Sequence, residues 1–501
     1  MDNFCEHFLH KFVNPSSVAV FGANERIPEN MGAFQLLTLI DNGYKGKIYP
    51  IHPKITTVFG KKAYPSVSSV PGPIDLAEII LSKRHVPKIL EELGEHGCKN
   101  VIIVTAGYRE QNNVNDQQEL IEIASKYGMH ILGPNCIGIL NTHTKVSLDS
   151  PEECILNTTV QSYNQKPGKV SIISQSGTFV SHSFMLLEER DLNLSKTFSV
   201  GNEASIDICD CLSYLGEDPE TEVILLYIEE IKRGRLFFQL AREISPRKPI
   251  ICLYVGGSEG GAKAALSHTG SMGGNDKIFD GMCRQTGIVR VKTLEELLDT
   301  ASICSKLLPN GVLLKGNRVA VVTNSGGPGA TMADQSSRLG FKIPDFSEKL
   351  QIKIRKFMPP TAQTTNPLDY TFSLNPVFFY QSVPKIIAKS NELDAMLVYG
   401  ALGNSFFRYQ NEGGKVLNSD INVKKMQNWI DLSKDSIKSA LKLMHKYSFP
   451  IINVIFLGLK EPIFQFLNEV GFPTFKMPHQ AVRALKNYQL YCDWLRKSIN
   501  K

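Results

Sequence analysis

The side chains with the most chemical promise lie in the run GGSEGGAKAALSHTGSMGG at 256–274. Gly, Ala and Ser dominate it, so it fills a core poorly and bends easily. His268 stands in it between Ser267 and Thr269. A lone histidine is usually structural or exposed. On a run of small residues, however, an imidazole can reach more than one partner, and it can attack phosphorus to give a covalent intermediate. Such a nucleophile needs a carboxylate to hold its ring and tautomer. Glu229 and Glu230 follow the apolar run VILLYI at 223–228. The end of such a strand is where parallel sheets collect active-site groups.

Two turns could hold an anion. Gly22-Ala23-Asn24 closes the apolar run SVAVFG at 17–22. A tight turn there lets backbone N–H groups and a helix start meet phosphate. GxGxxG is missing, which disfavours a nicotinamide oxidoreductase, and an ordinary turn fits the residues as well. Further on, SQSGTF at 174–179 offers the hydroxyls of Ser174, Ser176 and Thr178, and Gly177 permits close backbone approach. A serine helix cap of the common kind is the alternative. Lys54, after His52-Pro53, could reach a ligand phosphate or remain a solvated surface lysine.

The elements that must position these residues are apolar runs alternating with amphipathic stretches. Runs at 17–22, 47–51, 76–81, 100–105 and 130–133 form a first series. A second covers 169–174, 197–200, 223–228, 249–255 and 287–291. A third begins at 318–323, continues at 394–400 and 450–456, and ends in a helix near 478–498. Strand–helix alternation predicts an α/β fold of three consecutive doubly wound units with parallel sheets. The expected boundaries are 1–143, a linker at 144–168, 169–308 and 309–501. The polar stretch around 403–430 reads as an insertion or loop.

A chain of 501 residues suits about three domains. Its 42% hydrophobic and 21% charged residues are those of a globular protein in water. The net charge of +6 is spread without a basic block, so nucleic acid is not an expected partner, while small anions are. Ten scattered cysteines form no CxxC pair, which argues against zinc or a disulfide framework and for a reducing, cytoplasmic setting. No secretory leader and no apolar run of membrane-spanning length is apparent.

In order along the chain stand FGAN (21–24), IYPIHPK (48–54), AYPSV and PGPIDLA (63–67, 71–77), ILGPNCIGI (131–139), ISQSGT (173–178), SVGNEASID (199–207), LSHTGSMGG (266–274) and TNSGGPG (323–329). Together they resemble the alpha subunit of ADP-forming acetyl-CoA synthetase, a relative of succinyl-CoA synthetase. The resemblance covers about residues 10–400. It implies a CoA-binding Rossmann-like domain followed by two flavodoxin-like domains. It also implies a reaction of acyl-CoA, phosphate and ADP or GDP that gives a carboxylic acid, coenzyme A and nucleoside triphosphate. The route runs through an acyl phosphate and a phosphohistidine.

Carried onto this sequence, the resemblance makes His268 the phosphorylated residue and Glu229 its carboxylate. Ser176, Gly177 and Thr178 would hold phosphate. Gly22, Ala23, Asn24, Pro53, Lys54 and Asn135 would hold coenzyme A. An ATP-grasp beta subunit would supply the nucleotide site and its magnesium. The match has departures: Tyr254 and Gly257 stand where the family carries Lys and Arg, and Ile208 where it carries an acid. A non-catalytic CoA-binding protein on the same scaffold is the competing expectation.

Overall fold

The computed structural model describes residues 2–147, 152–261, 263, 274–371, 373–400, 402, 420–456 and 461–499. The chain divides into two compact units, Met1–Thr293 and Leu294–Lys501.

The first unit holds two large sheets. Strands β1 (Ser17–Phe21) and β2 (Lys47–Ile51) are followed by a small antiparallel pair, β3 (Thr57–Val58) and β4 (Lys61–Lys62). Then come β5 (Leu76–Ile79), β6 (Asn100–Ile103) and β7 (His130–Leu132). The first large sheet has the order β2-β1-β5-β6-β7 and is parallel throughout. β1, β5 and β6 are buried along their whole length, as continuous apolar runs between two helix layers should be. The order reverses between β1 and β5, and a crevice at the carboxyl ends of those strands is where ligands bind such sheets.

The second sheet is built from β8 (Ile139–Thr144), β9 (Cys154–Asn157), β10 (Val170–Ser174), β11 (Leu194–Ser199), β12 (Val223–Ile228), β13 (Ile250–Tyr254) and β14 (Val289–Val291). Its order is β14-β13-β12-β10-β11-β8-β9. β10 to β14 are parallel, while β8 and β9 add an antiparallel edge.

That edge differs from the expected linker at 144–168. β9 lies inside that stretch, and β8 pairs with the second sheet although it was expected to close the first domain. The reason lies in polar side chains that bond to backbone instead of water. Thr38 donates to the carbonyl of Thr159 at 2.6 Å, and Gln35 donates to that of Thr158 at 3.0 Å. Both come from the helix Met31–Asp41 that follows β1. One apolar core runs through both sheets, from Val20 and Leu36 to Phe198 and Leu226.

The second unit has one parallel sheet of β15 (Val319–Thr323), β16 (Leu368–Asp369), β17 (Ala395–Tyr399), β18 (Ile451–Val454) and β19 (Thr474–Phe475), in the order β16-β15-β17-β18-β19. The helix Leu294–Leu307, expected within the stretch 169–308, packs on the C-terminal helix Pro478–Ile499. Asn487 donates to Thr300 at 2.9 Å, and Arg483 pairs with Glu296. The polar stretch around 403–430 lies partly outside the described residues. From 420 onward it is helix, Asp420–Tyr447. No described helix is long and apolar enough to cross a membrane.

Candidate active site

A cleft of about 690 Å³ opens in the first unit. The first sheet and its connections contribute Asn30, Met31, Ile80, Leu81, Ser82, Lys83, Val104, Thr105 and Ala106. The Asn135-Cys136-Ile137 turn and residues Gln175 to Thr178 form the rest. Carboxyl ends of β5, β6 and β10 thus face one space.

The turn after β1 is fixed by contacts that leave no room for a side chain. Gly22 has φ +89°, and a Cβ there would lie 2.2 Å from the carbonyl oxygen of Ile80. Asn24 closes the turn, its side-chain amide donating to the Gly22 carbonyl at 2.8 Å. Asn30 then caps the helix Met31–Asp41 by accepting from Gly32 at 2.9 Å and Ala33 at 3.3 Å. Gly22, Ala23 and Asn24 do not line the cleft themselves. Gly22 packs against the Ile80 carbonyl, and its own carbonyl lies against Gly32 in the helix that Asn30 caps; Ile80 and Asn30 do line the cleft. Pro53 and Lys54 are exposed and are not among the lining residues.

Asn135 does line the cleft, in a left-handed conformation at φ +60°. Its backbone N–H donates to the Thr105 carbonyl at 3.0 Å, and its amide donates to Asn202 at 3.3 Å. Opposite comes the start of the helix Gly177–Glu188, capped by Ser176. The Ser174 hydroxyl holds the turn, donating to the Ser176 carbonyl at 2.7 Å and accepting its N–H at 3.0 Å. A Cβ on Gly177 would sit 2.7 Å from Ile137 Cγ2, so glycine lets this helix start close on the Asn135 turn. Free N–H groups and the helix dipole favour an anion there.

Glu229 follows β12 and is only 3% exposed. Gln175 fixes its backbone: Oε1 accepts the N–H groups of Glu229 at 2.6 Å and Glu230 at 3.0 Å, and Nε2 donates to the Glu230 carbonyl at 2.9 Å. The two glutamates are thereby told apart. Glu230 pairs with Arg109 at 2.8 Å, whereas Glu229 lies beside Tyr227. Burial, and then the Glu229 carboxylate, push the Tyr227 phenol up to about 12. Nearby, burial drives Glu203 up to about 7 against the opposing pull of Lys232, whose ammonium lies 3.6 Å away. Lys232 also donates to the carbonyls of Asn202 and Glu203, both at 2.8 Å.

His268 lies outside the described residues. Of the expected site residues, Asn135, Ser176, Gly177 and Thr178 share the cleft; Glu229 is tied to it through Gln175. Sequence reasoning missed Ser82, Lys83 and Thr105 as lining residues, although each follows an apolar strand, which was the available signal. Lys83 donates to Asp116 at 2.6 Å and to the Gly107 carbonyl at 3.0 Å. Among the described residues, no group of three or more His, Cys, Asp or Glu could hold a metal ion.

Two glycine-braced helix starts on one cleft suit an anionic ligand. The family described as "CoA binding domain" matches residues 16–142, and "Succinyl-CoA ligase like flavodoxin domain" matches 167–304. The latter match includes most of the helix Leu294–Leu307, which packs with the second unit. The chain is 39% identical to acetate–CoA ligase [ADP-forming] II subunit alpha of Pyrococcus furiosus over 78% of this chain and 81% of that one. It is 38% identical to the acetate–CoA ligase [ADP-forming] of Methanocaldococcus jannaschii over 71% of this chain, but spans only 48% of that longer protein. Among solved structures, it resembles acetyl-coenzyme A synthetase 1 of Ca. Korarchaeum cryptofilum, described as dinucleotide forming and solved with phosphate and ADP. That likeness has a TM-score of 0.81 and 30% identity, covering 98% of this chain and 99% of the other. The chain belongs to the family of ADP-forming acetate–CoA ligase alpha subunits.

Proposed function

We propose that the chain is the CoA-binding, phosphohistidine-carrying subunit of an ADP- or GDP-forming acyl-CoA synthetase. The cleft residues fit coenzyme A as a substrate. The braced turn at Gly22 and the cap at Asn30 suit its diphosphate, and Asn135 suits the thioester end. Phosphate, held at Ser176, Gly177 and Thr178, attacks the thioester carbonyl; the thiolate leaves, and an acyl phosphate forms. The His268 ring nitrogen then attacks phosphorus and the carboxylate leaves. Glu229 holds the other ring nitrogen while charge develops. The phosphoryl group passes from His268 to a nucleoside diphosphate on an ATP-grasp partner, with magnesium bound beside it.

The observation that carries this reading is the meeting, on one cleft, of Asn135 with the capped helix start at Ser176–Thr178, beside the strand end that bears Glu229. The test is reconstitution with an ATP-grasp partner, labelled nucleoside triphosphate and magnesium. An acid-labile, base-stable phosphoryl label on the wild-type chain is expected. A chain that binds coenzyme A but never takes label would be the non-catalytic relative instead.

A further inference from the structure

The chain leaves β13 at Tyr254 and returns into the helix Asp276–Thr286, and both ends meet on one side chain. The Tyr254 hydroxyl accepts the backbone N–H of Gly274, 20 residues on, at 2.8 Å. Its ring lies flat on Phe279, with centroids 4.0 Å apart and 11° between the planes. The Arg290 guanidinium lies beside the stacked pair, 5.5 Å from the Tyr254 centroid and 5.3 Å from that of Phe279. Arg290 in turn pairs with Asp280 at 2.6 Å and with Asp276. Its charge holds the Asp276 carboxyl below the usual carboxylate range. Asn275 begins the helix, accepting the N–H of Lys277 at 2.9 Å.

Gly257 belongs to the same point. A Cβ there would lie 1.9 Å from Asp276 Oδ1 and 3.0 Å from Tyr254 Cε1. The outgoing chain can cross the returning one only because position 257 has no side chain. Positions 254 and 257, which looked like two separate losses of charge, form a single crossing.

We propose that Tyr254 is a positioning residue for phosphoryl transfer: its hydroxyl fixes the Gly274 peptide, and so the root of the segment that carries His268. This rests on the reading of His268 as the phosphorylated residue. Pinning a root at a fixed place and direction removes arrangements of the intervening chain that misplace the imidazole. The tether therefore governs the transfer rate and not the affinity of the cleft, whose lining does not include Tyr254.

Tyr254→Phe keeps the stack on Phe279 beside Arg290 and removes only the hydroxyl. In the reconstituted complex, with labelled ATP and magnesium, His268 should take label about fivefold more slowly, the worth of one ordinary hydrogen bond. kcat should fall while KM and Kd for coenzyme A stay at wild-type values. Hydrogen exchange of the full chain should show a Gly274 amide protected in the wild type and fast in the variant. Gly257→Ala strains the same crossing, against Asp276 and the edge of the Tyr254 ring, while leaving the Tyr254 hydroxyl in the chain, and should slow labelling likewise even if the phenylalanine variant folds poorly. Wild-type labelling in both variants, or an unchanged Gly274 amide in Tyr254→Phe, overturns the proposal. A wild-type chain that takes no label fails before any variant is compared; it overturns the phosphohistidine reading and this proposal with it.

Discussion

The side-chain oxygen of Gln175 accepts the backbone N–H of Glu229 at 2.6 Å. Gln175 is 5% exposed and lines the cleft, and its amide makes two further bonds to Glu230. A residue of the β10 turn thereby sets where the neighbouring strand β12 delivers its carboxylate.

Gln175→Leu should test that bond. It removes the bonds that Gln175 makes to two N–H groups and a carbonyl beside the buried Glu229. Each orphaned group costs about 1–3 kcal/mol, so a loss of about 2–4 kcal/mol is expected, since local relaxation recovers some of the deficit. Urea denaturation measures it. Stability within about 0.5 kcal/mol of wild type would mean that Gln175 does not hold Glu229.

Glu229→Gln and Glu230→Gln should part company. The first keeps the shape beside Tyr227 and removes the charge proposed to steady the ring of His268. It should slow labelling of His268 roughly 10- to 100-fold, as loss of an orienting partner does, with coenzyme A binding unchanged. The second breaks the pair with Arg109, where the side chains are 15% and 23% exposed. It should cost stability and leave labelling near normal. Calorimetric titration with coenzyme A and single-turnover labelling separate the two. Equal slowing by both variants would refute the division of roles.

Glu203 gives the first unit a measurable pH dependence. Burial raises its carboxyl from 4.5 to about 7 despite Lys232. A carboxyl whose folded value lies above its unfolded one binds its proton more tightly in the folded chain. Its contribution to stability is full below about pH 4.5 and is lost as pH rises through about 7, some 3 kcal/mol in all. Glu203→Gln does not titrate. Wild-type stability should fall relative to this variant between those pH values, measured as denaturation midpoints across the range. A constant difference would place the Glu203 carboxyl at its ordinary value.

Much of this arrangement was legible in the residues because the parallel strands are buried apolar runs, and their ends mark where a ligand binds. Ser176–Thr178 was singled out that way, whereas Asn135 came only with the family resemblance; both line the cleft. β9 was not: Asn157, Thr158 and Thr159 look like loop residues, and only their bonds to Asn42, Gln35 and Thr38 make them core. Arg109 meets Glu230 across 121 residues, a pairing that no local pattern announces. Lys54, read either as a phosphate contact or as a solvated lysine, stands at the surface, where the His52 ring accepts its N–H at 3.1 Å. The helix from Asp420 was hidden by its polar sequence; its buried residues include Ser433, Ser436, Ile437 and Ala440.

Gly22→Val should show what the first turn is for. The side chain would enter the space held by the Ile80 carbonyl, and φ +89° is a conformation that a β-branched residue avoids. The turn must shift, and with it Ile80, Leu81 and the cap at Asn30, all of which line the cleft. Binding of coenzyme A should weaken at least roughly tenfold, because a displaced turn no longer presents the helix start to a phosphate. The second sheet is braced through other residues, so titration of the folded variant with inorganic phosphate should be little changed. Calorimetry with coenzyme A, with NAD as the competing dinucleotide, settles the ligand. Tight NAD binding by the wild type, or full coenzyme A affinity in the folded valine variant, would remove the CoA-binding role from this turn.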